Sequence, residues 1–243
     1  MRTGIGVRVM SFPFAIIGFD LDGTLVDTAG DLTAGVNHAL DLAARAPLTI
    51  EQVRPMIGLG GRHMLEQGLH ATGGVPGGDF ERLFREFLRH YEANIAVHSR
   101  PFPGLIEALD ALDALGVKTA VVTNKTERLA RLLLGDLGLA DRFATIIGGD
   151  TLGRENAKPS PAPIHEMIAR CGGGRTAFVG DSIYDMEAAN AAGVTSIAVR
   201  FGFPNQPVET LGADHIIGHY NELLPLLREL GDSHVQSDMG RRD

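Results

Sequence analysis

The chain has 243 residues and a hydrophobic content of 44%, enough for one full core and a smaller second unit. Its formal net charge of -8 argues against a basic surface for nucleic acid, and its single cysteine, Cys171, excludes an internal disulfide or a zinc site of paired cysteines. We expect no signal peptide and no membrane span, because the first apolar run, residues 12–19, is short and is broken by Pro13. The expected compartment is the cytoplasm.

The first predicted element is a buried strand at residues 15–19. The next interval contains only helical patterns, at residues 31–44, 50–56, 62–70 and 80–96. Pro101 and Pro103 then lead into the next helix. We interpret residues 28–100 as an α-helical cap domain inserted after the first strand.

Strands and helices alternate after residue 100. Strands are predicted at residues 117–122, 144–147, 177–179 and 195–199, with a weak one at 215–217, and helices at 105–115, 127–137, 161–171, 184–192 and 221–230. Such alternation indicates a Rossmann-like, doubly wound α/β fold with a mostly parallel sheet. We assign residues 1–27 and 101–231 to this core domain and expect a disordered polar tail at 232–243.

Two carboxylates follow the first strand, in the stretch DLDGT at residues 20–24. Ligands of such sheets bind beyond the carboxyl ends of the strands, where Asp20 and Asp22 could face one cavity as a nucleophile and an acid/base. Gly23 allows a tight turn. An isolated stretch of this kind is equally compatible with a solvated turn.

A second acidic pair follows the fourth strand. Asp181 and Asp185 are four residues apart, so one helical turn places both carboxylates on one face. Together with Asp20 they form an oxygen-rich cluster without thiols, which favours Mg²⁺. Capping of a helix N-terminus is the alternative for Asp181.

Three further polar residues follow strands two and three. Lys158, held between residues of restricted backbone in NAKPSPAP, could offset carboxylate repulsion toward a phosphate dianion. Thr123 and Asn124 offer a hydroxyl and an amide to phosphoryl oxygens. A solubilising surface charge and simple helix capping are the alternatives.

Four stretches in this order, DLDGT, VVTN, AKPSP and GDSIYD, resemble the signature motifs of the haloacid dehalogenase superfamily of phosphohydrolases. The resemblance covers nearly the whole chain, and the helical insertion is similar to the family's smaller cap. It implies that Asp20 attacks phosphorus and that Asp22 protonates the leaving alkoxide and then deprotonates water. It also implies that Thr123, Asn124 and Lys158 hold the phosphoryl group.

The same resemblance implies a Mg²⁺ site formed by Asp20, the backbone carbonyl of Asp22, and Asp181, with Asp185 in support. Dehalogenases of this superfamily lack an acid at the position of Asp22, so we set carbon–halogen cleavage aside. The segments at residues 53–65 and 148–152 more particularly resemble bacterial phosphoglycolate phosphatases. The expected reaction is therefore hydrolysis of a small phosphorylated metabolite, with 2-phosphoglycolate as the first candidate.

Selection among substrates is expected to come from the cap. Gly61 would let the backbone approach a ligand closely, and Arg62 could bind the substrate's carboxylate bidentately. A Gly-rich link with a surface arginine is the alternative. Other functions that remain open are a phosphatase for another small phosphate or pyrophosphate, a sugar phosphomutase, and an inactive relative that binds a phosphorylated ligand. We expect no nucleic acid or membrane partner, and either a monomer or a homodimer.

Overall fold

The computed structural model describes residues 12–203 and 206–239, with side chains as far as residue 231. Its described residues form eight strands: β1 (Ile16–Phe19), β2 (Val26–Asp27), β3 (Arg100–Pro101), β4 (Lys118–Val122), β5 (Thr145–Ile147), β6 (Thr176–Gly180), β7 (Thr195–Val199) and β8 (His215–Ile217). Six of them form one parallel sheet in the order β5-β4-β1-β6-β7-β8, and β2 pairs with β3 in an antiparallel ribbon. The predicted parallel sheet is confirmed.

The described helices follow the predicted alternation closely. They are α1 (Ala29–Leu42), α2 (Ile50–Val53), α3 (Gly61–Ala71), α4 (Phe80–Ala93), α5 (Leu105–Ala114), α6 (Glu127–Asp136), α7 (Ala162–Arg170), α8 (Ile183–Ala191) and α9 (Leu223–Met239). Among the residues that the structure describes, no helix is both long and apolar enough to cross a membrane.

Both faces of the sheet are covered, which explains why β1, in its middle, is apolar throughout. Ile17 and Phe19 of β1 belong to a buried cluster that includes leucines of α5 and α9. Ile16 belongs to a second cluster, with side chains of α7 and α8. Alternate residues of an extended strand face opposite sides, so an apolar run is required where both sides are buried. The doubly wound α/β architecture predicted from the sequence is therefore confirmed.

Helices α1 to α4 follow β2 and precede β3 along the chain, and they pack on one another. The absence of a side chain at Gly35 of α1 lets Phe87 of α4 approach closely, since an added Cβ would lie 3.0 Å from that ring. The return toward the sheet is fixed by Asp31, whose carboxylate accepts hydrogen bonds from the backbone N–H groups of His98 and Ser99. The ribbon pairs Asp27 with Arg100, so the chain leaves and re-enters the sheet region side by side.

The C-terminal segment differs from the sequence prediction. Helix α9 continues to Met239, so residues 232–239 are helical where a disordered tail was expected, while 240–243 lie outside the described residues. The physical reason is that extending an existing helix costs far less than starting one, and 232–239 contain no proline.

Candidate active site

The predicted nucleophile lies at the carboxyl end of the central strand. Asp20 directly follows β1, its backbone N–H donates to the carbonyl of Val179 at 2.9 Å, and the residue is 7% exposed. Gly23 then turns the chain with φ of +85°, and a Cβ at this position would lie 2.2 Å from Oδ2 of Asp181. Only glycine fits this turn, because both the positive φ and the close carboxylate exclude a side chain.

Lys158 lies at the centre of the site. Its Nζ donates to Oδ1 of Asp20 at 2.7 Å, to Oδ1 of Asp185 at 2.6 Å and to the carbonyl of Val122 at 2.8 Å. The side chain is 2% exposed. All three hydrogens of the ammonium group thus have an acceptor. The lysine is therefore fixed against the predicted nucleophile and is not free on the surface.

Three buried carboxylates meet beside this lysine. Asp20, Asp181 and Asp185 each offer an oxygen within 4.8 Å of the others, and they form a cluster able to bind a metal ion. Asp181 accepts from Oγ1 of Thr24 at 3.1 Å and from the N–H of Phe203 at 2.6 Å. These contacts orient the carboxylate.

Asp185 is fixed in the same way, by the start of helix α8. Its Oδ2 accepts from the backbone N–H of Ser182 at 2.9 Å and from the Ser182 hydroxyl at 2.6 Å, within a capping box. Its other oxygen accepts from Lys158. The capping box at the start of α8 therefore also orients the other carboxylate oxygen of Asp185 toward Lys158.

The proton affinities of this cluster reflect its burial. Desolvation raises the pKa of Asp20 to about 7, although Lys158 opposes the increase. Desolvation, followed by the charges of Asp185 and Asp20, raises the pKa of Asp181 well above its ordinary value. Three carboxylates with one ammonium leave an excess of buried negative charge, and a hard divalent cation would neutralise it. The donor set, oxygen only and buried, fits such an ion.

Asp22 lies outside the acidic cluster. Its Oδ1 accepts from Oγ1 of Thr28 at 2.7 Å, and its Oδ2 forms an ion pair with Nζ of Lys125 at 2.9 Å. The expected metal contact of Asp22 through its backbone carbonyl stays a prediction. Lys125 was missed by the sequence analysis, although it directly follows Asn124.

Lys125 is also covered by the helical segment. Its Nζ lies 4.8 Å from the ring centroid of Tyr91, which projects from α4. Burial alone would lower the pKa of Lys125, but Asp22 and Tyr91 together raise it above its ordinary value. Burial raises the pKa of Tyr91 to about 12. A cation and a neutral phenol therefore lie side by side where the helical segment covers the sheet.

The two predicted phosphoryl-binding residues after β4 have different surroundings. Thr123 is 3% exposed, and its Oγ1 accepts from the N–H of Lys125 at 3.2 Å. Asn124 donates both amide hydrogens to backbone carbonyls, to Gly58 at 2.9 Å and to Lys158 at 3.0 Å. Its Oδ1 is buried without a hydrogen-bond partner among the described residues. Asn124 thus joins the Gly58 loop to the sheet and presents only an acceptor.

A cavity of about 590 Å³ opens above these residues, between the sheet and the helical segment. Gly61 and Arg62 line it, as do Asp20 and Asp22. Arg62 forms a bidentate ion pair with Glu81, at 2.8 Å for both bonds. The Arg62 side chain is 42% exposed, and its guanidinium lies over the Phe84 ring at 4.8 Å. Its predicted contact with substrate is therefore in competition with an existing partner.

Known proteins are similar to this chain over most of its length. A phosphoglycolate phosphatase from Agrobacterium fabrum is 44% identical over 221 residues, which cover 89% of this chain and 93% of that protein. Another, from Caulobacter vibrioides, is 41% identical over 206 residues, 84% of this chain and 86% of that protein. The crystal structure of a predicted phosphoglycolate phosphatase from Haemophilus somnus 129PT superposes with a TM-score of 0.83 at 30% identity, covering 88% of this chain and 98% of that one.

The match to a family model extends over most of the sheet and the whole helical segment. It covers residues 17–199, from β1 to the end of β7, and the model describes haloacid dehalogenase-like hydrolases. The resemblance seen in the four sequence motifs is confirmed by this match and by the relatives. The chain belongs to the haloacid dehalogenase-like hydrolase family.

Proposed function

We propose that this protein is a phosphatase that hydrolyses 2-phosphoglycolate through a phosphorylated Asp20, with Mg²⁺ as cofactor. The observation that carries the proposal is the contact of Lys158 with both Asp20 and Asp185, beside an acidic cluster at the floor of a covered cavity. The phosphoglycolate phosphatases that are 44% and 41% identical to this chain support the choice of substrate.

In the first step Asp20 attacks phosphorus. Its Oδ1 accepts a hydrogen bond from Lys158, which leaves Oδ2 to form the new bond to phosphorus. The bond between phosphorus and the bridging oxygen breaks, and that oxygen takes a proton from the Asp22 carboxyl group to leave as glycolate. Dividing one difficult displacement into two easier steps is the advantage of such covalent catalysis.

In the second step a water molecule attacks phosphorus and displaces Asp20. Asp22 takes a proton from the water while the bond between Asp20 and phosphorus breaks, which releases inorganic phosphate and restores both side chains. Asp22 is suited to both steps because it lies at the cavity wall and is held by Thr28 and Lys125.

Asp20, Asp181 and Asp185 would hold the Mg²⁺, together with the backbone carbonyl of Asp22. A divalent ion there supplies positive charge that offsets the negative charge of the transferring phosphoryl group. Lys158 contributes a buried ammonium in contact with Asp20, and Thr123 adds a hydroxyl directly after β4.

We further propose that residues 28–100 act as a cap over residues 1–27 and 101–231. The cap helices line the cavity through Arg62, Phe84 and Tyr91, while the sheet supplies Asp20 and Lys158. A cap of this kind excludes water from the site and selects the substrate, with movement at the ribbon of β2 and β3.

Phosphate release from a panel of phosphate esters, with Mg²⁺ and with EDTA, tests the function. We expect 2-phosphoglycolate to have the highest kcat/KM and EDTA to abolish turnover. Asp20→Asn should remove turnover with the fold intact, whereas Asp113→Asn, at an exposed aspartate, should behave as wild type. Phosphate release by Asp20→Asn at a large fraction of the wild-type rate would remove the nucleophile assignment.

A further inference from the structure

Lys125 is a buried cation to which the proposed chemistry assigns no direct task. Its side chain is 6% exposed, and its Nζ pairs with Oδ2 of Asp22 at 2.9 Å. Its backbone is held on both sides, because its N–H donates to Thr123 at 3.2 Å and its carbonyl accepts from the N–H of Gly149 at 2.8 Å. The ammonium is therefore placed firmly at the cavity wall and not at the end of a mobile chain.

The position of Lys125 is on the leaving-group side of the site. Asp22 must contact the bridging oxygen in order to act on it, and Lys125 is the direct partner of Asp22. In 2-phosphoglycolate a single methylene separates that oxygen from the carboxylate. The substrate's carboxylate therefore falls in the region next to Asp22, within the reach of a cation that already contacts this residue.

Contact with the substrate changes the surroundings of the ion pair. Each carboxylate oxygen of Asp22 already has one partner, Thr28 or Lys125, so the bridging oxygen of the substrate competes with these partners for Asp22. A buried ammonium that loses its anion is strongly destabilised unless another anion takes its place. An uncharged leaving group offers no replacement, but a carboxylate does.

Other cations at the cavity are less suited to this task. Lys158 is committed to Asp20 and Asp185. Arg62 is 42% exposed and bidentate to Glu81, while Arg128 is 63% exposed and paired with Glu92. Arg154, which also lines the cavity, is exposed as well. Charge recognition is most selective where water is excluded, since an exposed pair is screened.

We propose that Lys125 recognises the carboxylate of the substrate, accepting it as a partner in place of Asp22, and so makes the enzyme selective for phosphate esters of small hydroxy acids. This inference rests on the proposed function. The carboxylate of the substrate is then bound by Lys125, beside the ring of Tyr91, and not by the exposed Arg62.

The kinetic test compares two esters with the same two-carbon chain. Wild type and Lys125→Met are assayed on 2-phosphoglycolate and on ethyl phosphate, which has a methyl group in place of the carboxylate. Both esters are expected to lose some kcat in the variant, because Asp22 loses its partner. The preference for 2-phosphoglycolate, as a ratio of kcat/KM values, should fall by about 100-fold. Lys118→Met, at an exposed lysine on the other end of β4, should keep the preference.

The binding test includes a double variant in which neither charge of the pair is left without its partner. Asp22→Asn and the double variant Asp22→Asn with Lys125→Met are both expected to be inactive, and the double variant removes both charges of the pair together. Their affinities for 3-phosphonopropionate and propylphosphonate, which carry a methylene in place of the bridging oxygen, are measured by calorimetry. Asp22→Asn should prefer the carboxylated ligand by at least about tenfold, and the double variant should lose that preference.

Each outcome is decisive. Equal losses on both esters, or an unchanged ligand preference in the double variant, would show that Lys125 acts only by positioning Asp22 and would overturn the inference alone. A wild-type enzyme that does not hydrolyse 2-phosphoglycolate while it hydrolyses other esters would overturn the proposed substrate, and this inference with it.

Discussion

The Nζ atom of Lys158 lies 2.7 Å from Oδ1 of Asp20, a contact between residues 138 positions apart in the chain. Because the same ammonium also contacts Asp185 at 2.6 Å, one lysine joins the residue after β1 to the first turn of α8. The stability of the fold and the reactivity of Asp20 therefore depend on the same side chain.

Lys158→Met should reduce both properties. Removing the cation leaves the buried carboxylates of Asp20 and Asp185 without their ion-pair partner, and breaking a buried pair in this way costs about 3–5 kcal/mol. We expect the free energy of unfolding, measured in urea, to fall by that amount and phosphate release to be lost. Lys118→Met is the matched control, since Lys118 is exposed and donates to the carbonyl of Cys171. A Lys158→Met protein as stable as wild type would contradict this account of the contact.

Mg²⁺ should stabilise the protein through the acidic cluster. An ion that binds only the folded chain adds about 2.7 kcal/mol at a concentration 100 times its Kd. Addition of Mg²⁺ should raise the Tm of wild type, and EDTA should reverse the increase. In Asp181→Asn, which removes one of the three carboxylates, the increase should be small. Asp113→Asn should retain the full increase, and a full increase in Asp181→Asn would exclude that residue as a ligand.

Arg62→Ala should have a small effect that does not depend on the substrate. Arg62 is exposed and paired with Glu81, and exposed ion pairs contribute little. We expect kcat/KM to fall by less than about threefold on both 2-phosphoglycolate and ethyl phosphate. A loss confined to 2-phosphoglycolate would transfer carboxylate recognition from Lys125 to Arg62, as the sequence alone had suggested.

The stability of the helical segment should fall in mild acid. His90 of α4 stacks on His38 of α1 with ring centroids 4.5 Å apart, and burial, followed by the charge of His38, lowers the pKa of His90 below its ordinary 6.5. His90 therefore binds a proton at a higher pH in the unfolded chain than in the folded one. The contribution of neutral His90 to stability is fully present above pH 6.5 and is lost as the pH falls through the lowered pKa of the folded chain.

Thermal unfolding at a series of pH values measures this dependence. His90→Gln should unfold with a Tm that changes less between neutral and mildly acidic pH than that of wild type. His70→Gln, at an exposed histidine of α3, should follow the wild-type curve. An unchanged pH dependence in His90→Gln would assign the acid sensitivity to other groups.

The parts of the site that are local in sequence could be predicted. Asp20 and Asp181 each follow an apolar run that is buried on both faces, and such runs are visible without a structure. Asp185 could be predicted from its place in the first turn of the helix after β6, although Asp181 itself precedes the N-cap, Ser182, and is not part of that helix. Lys158 required the resemblance to a family, since a lone lysine has no local signal for burial.

The ion pair of Lys125 could not be predicted in this way. It depends on how α4 lies against the loop that follows β4, because Tyr91 covers the ammonium of Lys125. Asn124 was likewise predicted to hold phosphate, while in the structure its amide hydrogens bind the carbonyls of Gly58 and Lys158. Both cases involve contacts between the helical segment and the sheet, for which the order of residues along the chain carries no signal.

The ribbon of β2 and β3 has a consequence for how such enzymes can diversify. Because Asp27 and Arg100 are paired neighbours, the two ends of the helical segment are already adjacent without it. A different segment, longer or shorter, could join the same two points while every strand of the six-stranded sheet keeps its place. The residues that break the phosphate ester and those that choose its leaving group can therefore change independently, except at Lys125, which lies in the sheet domain and would be inherited with the chemistry.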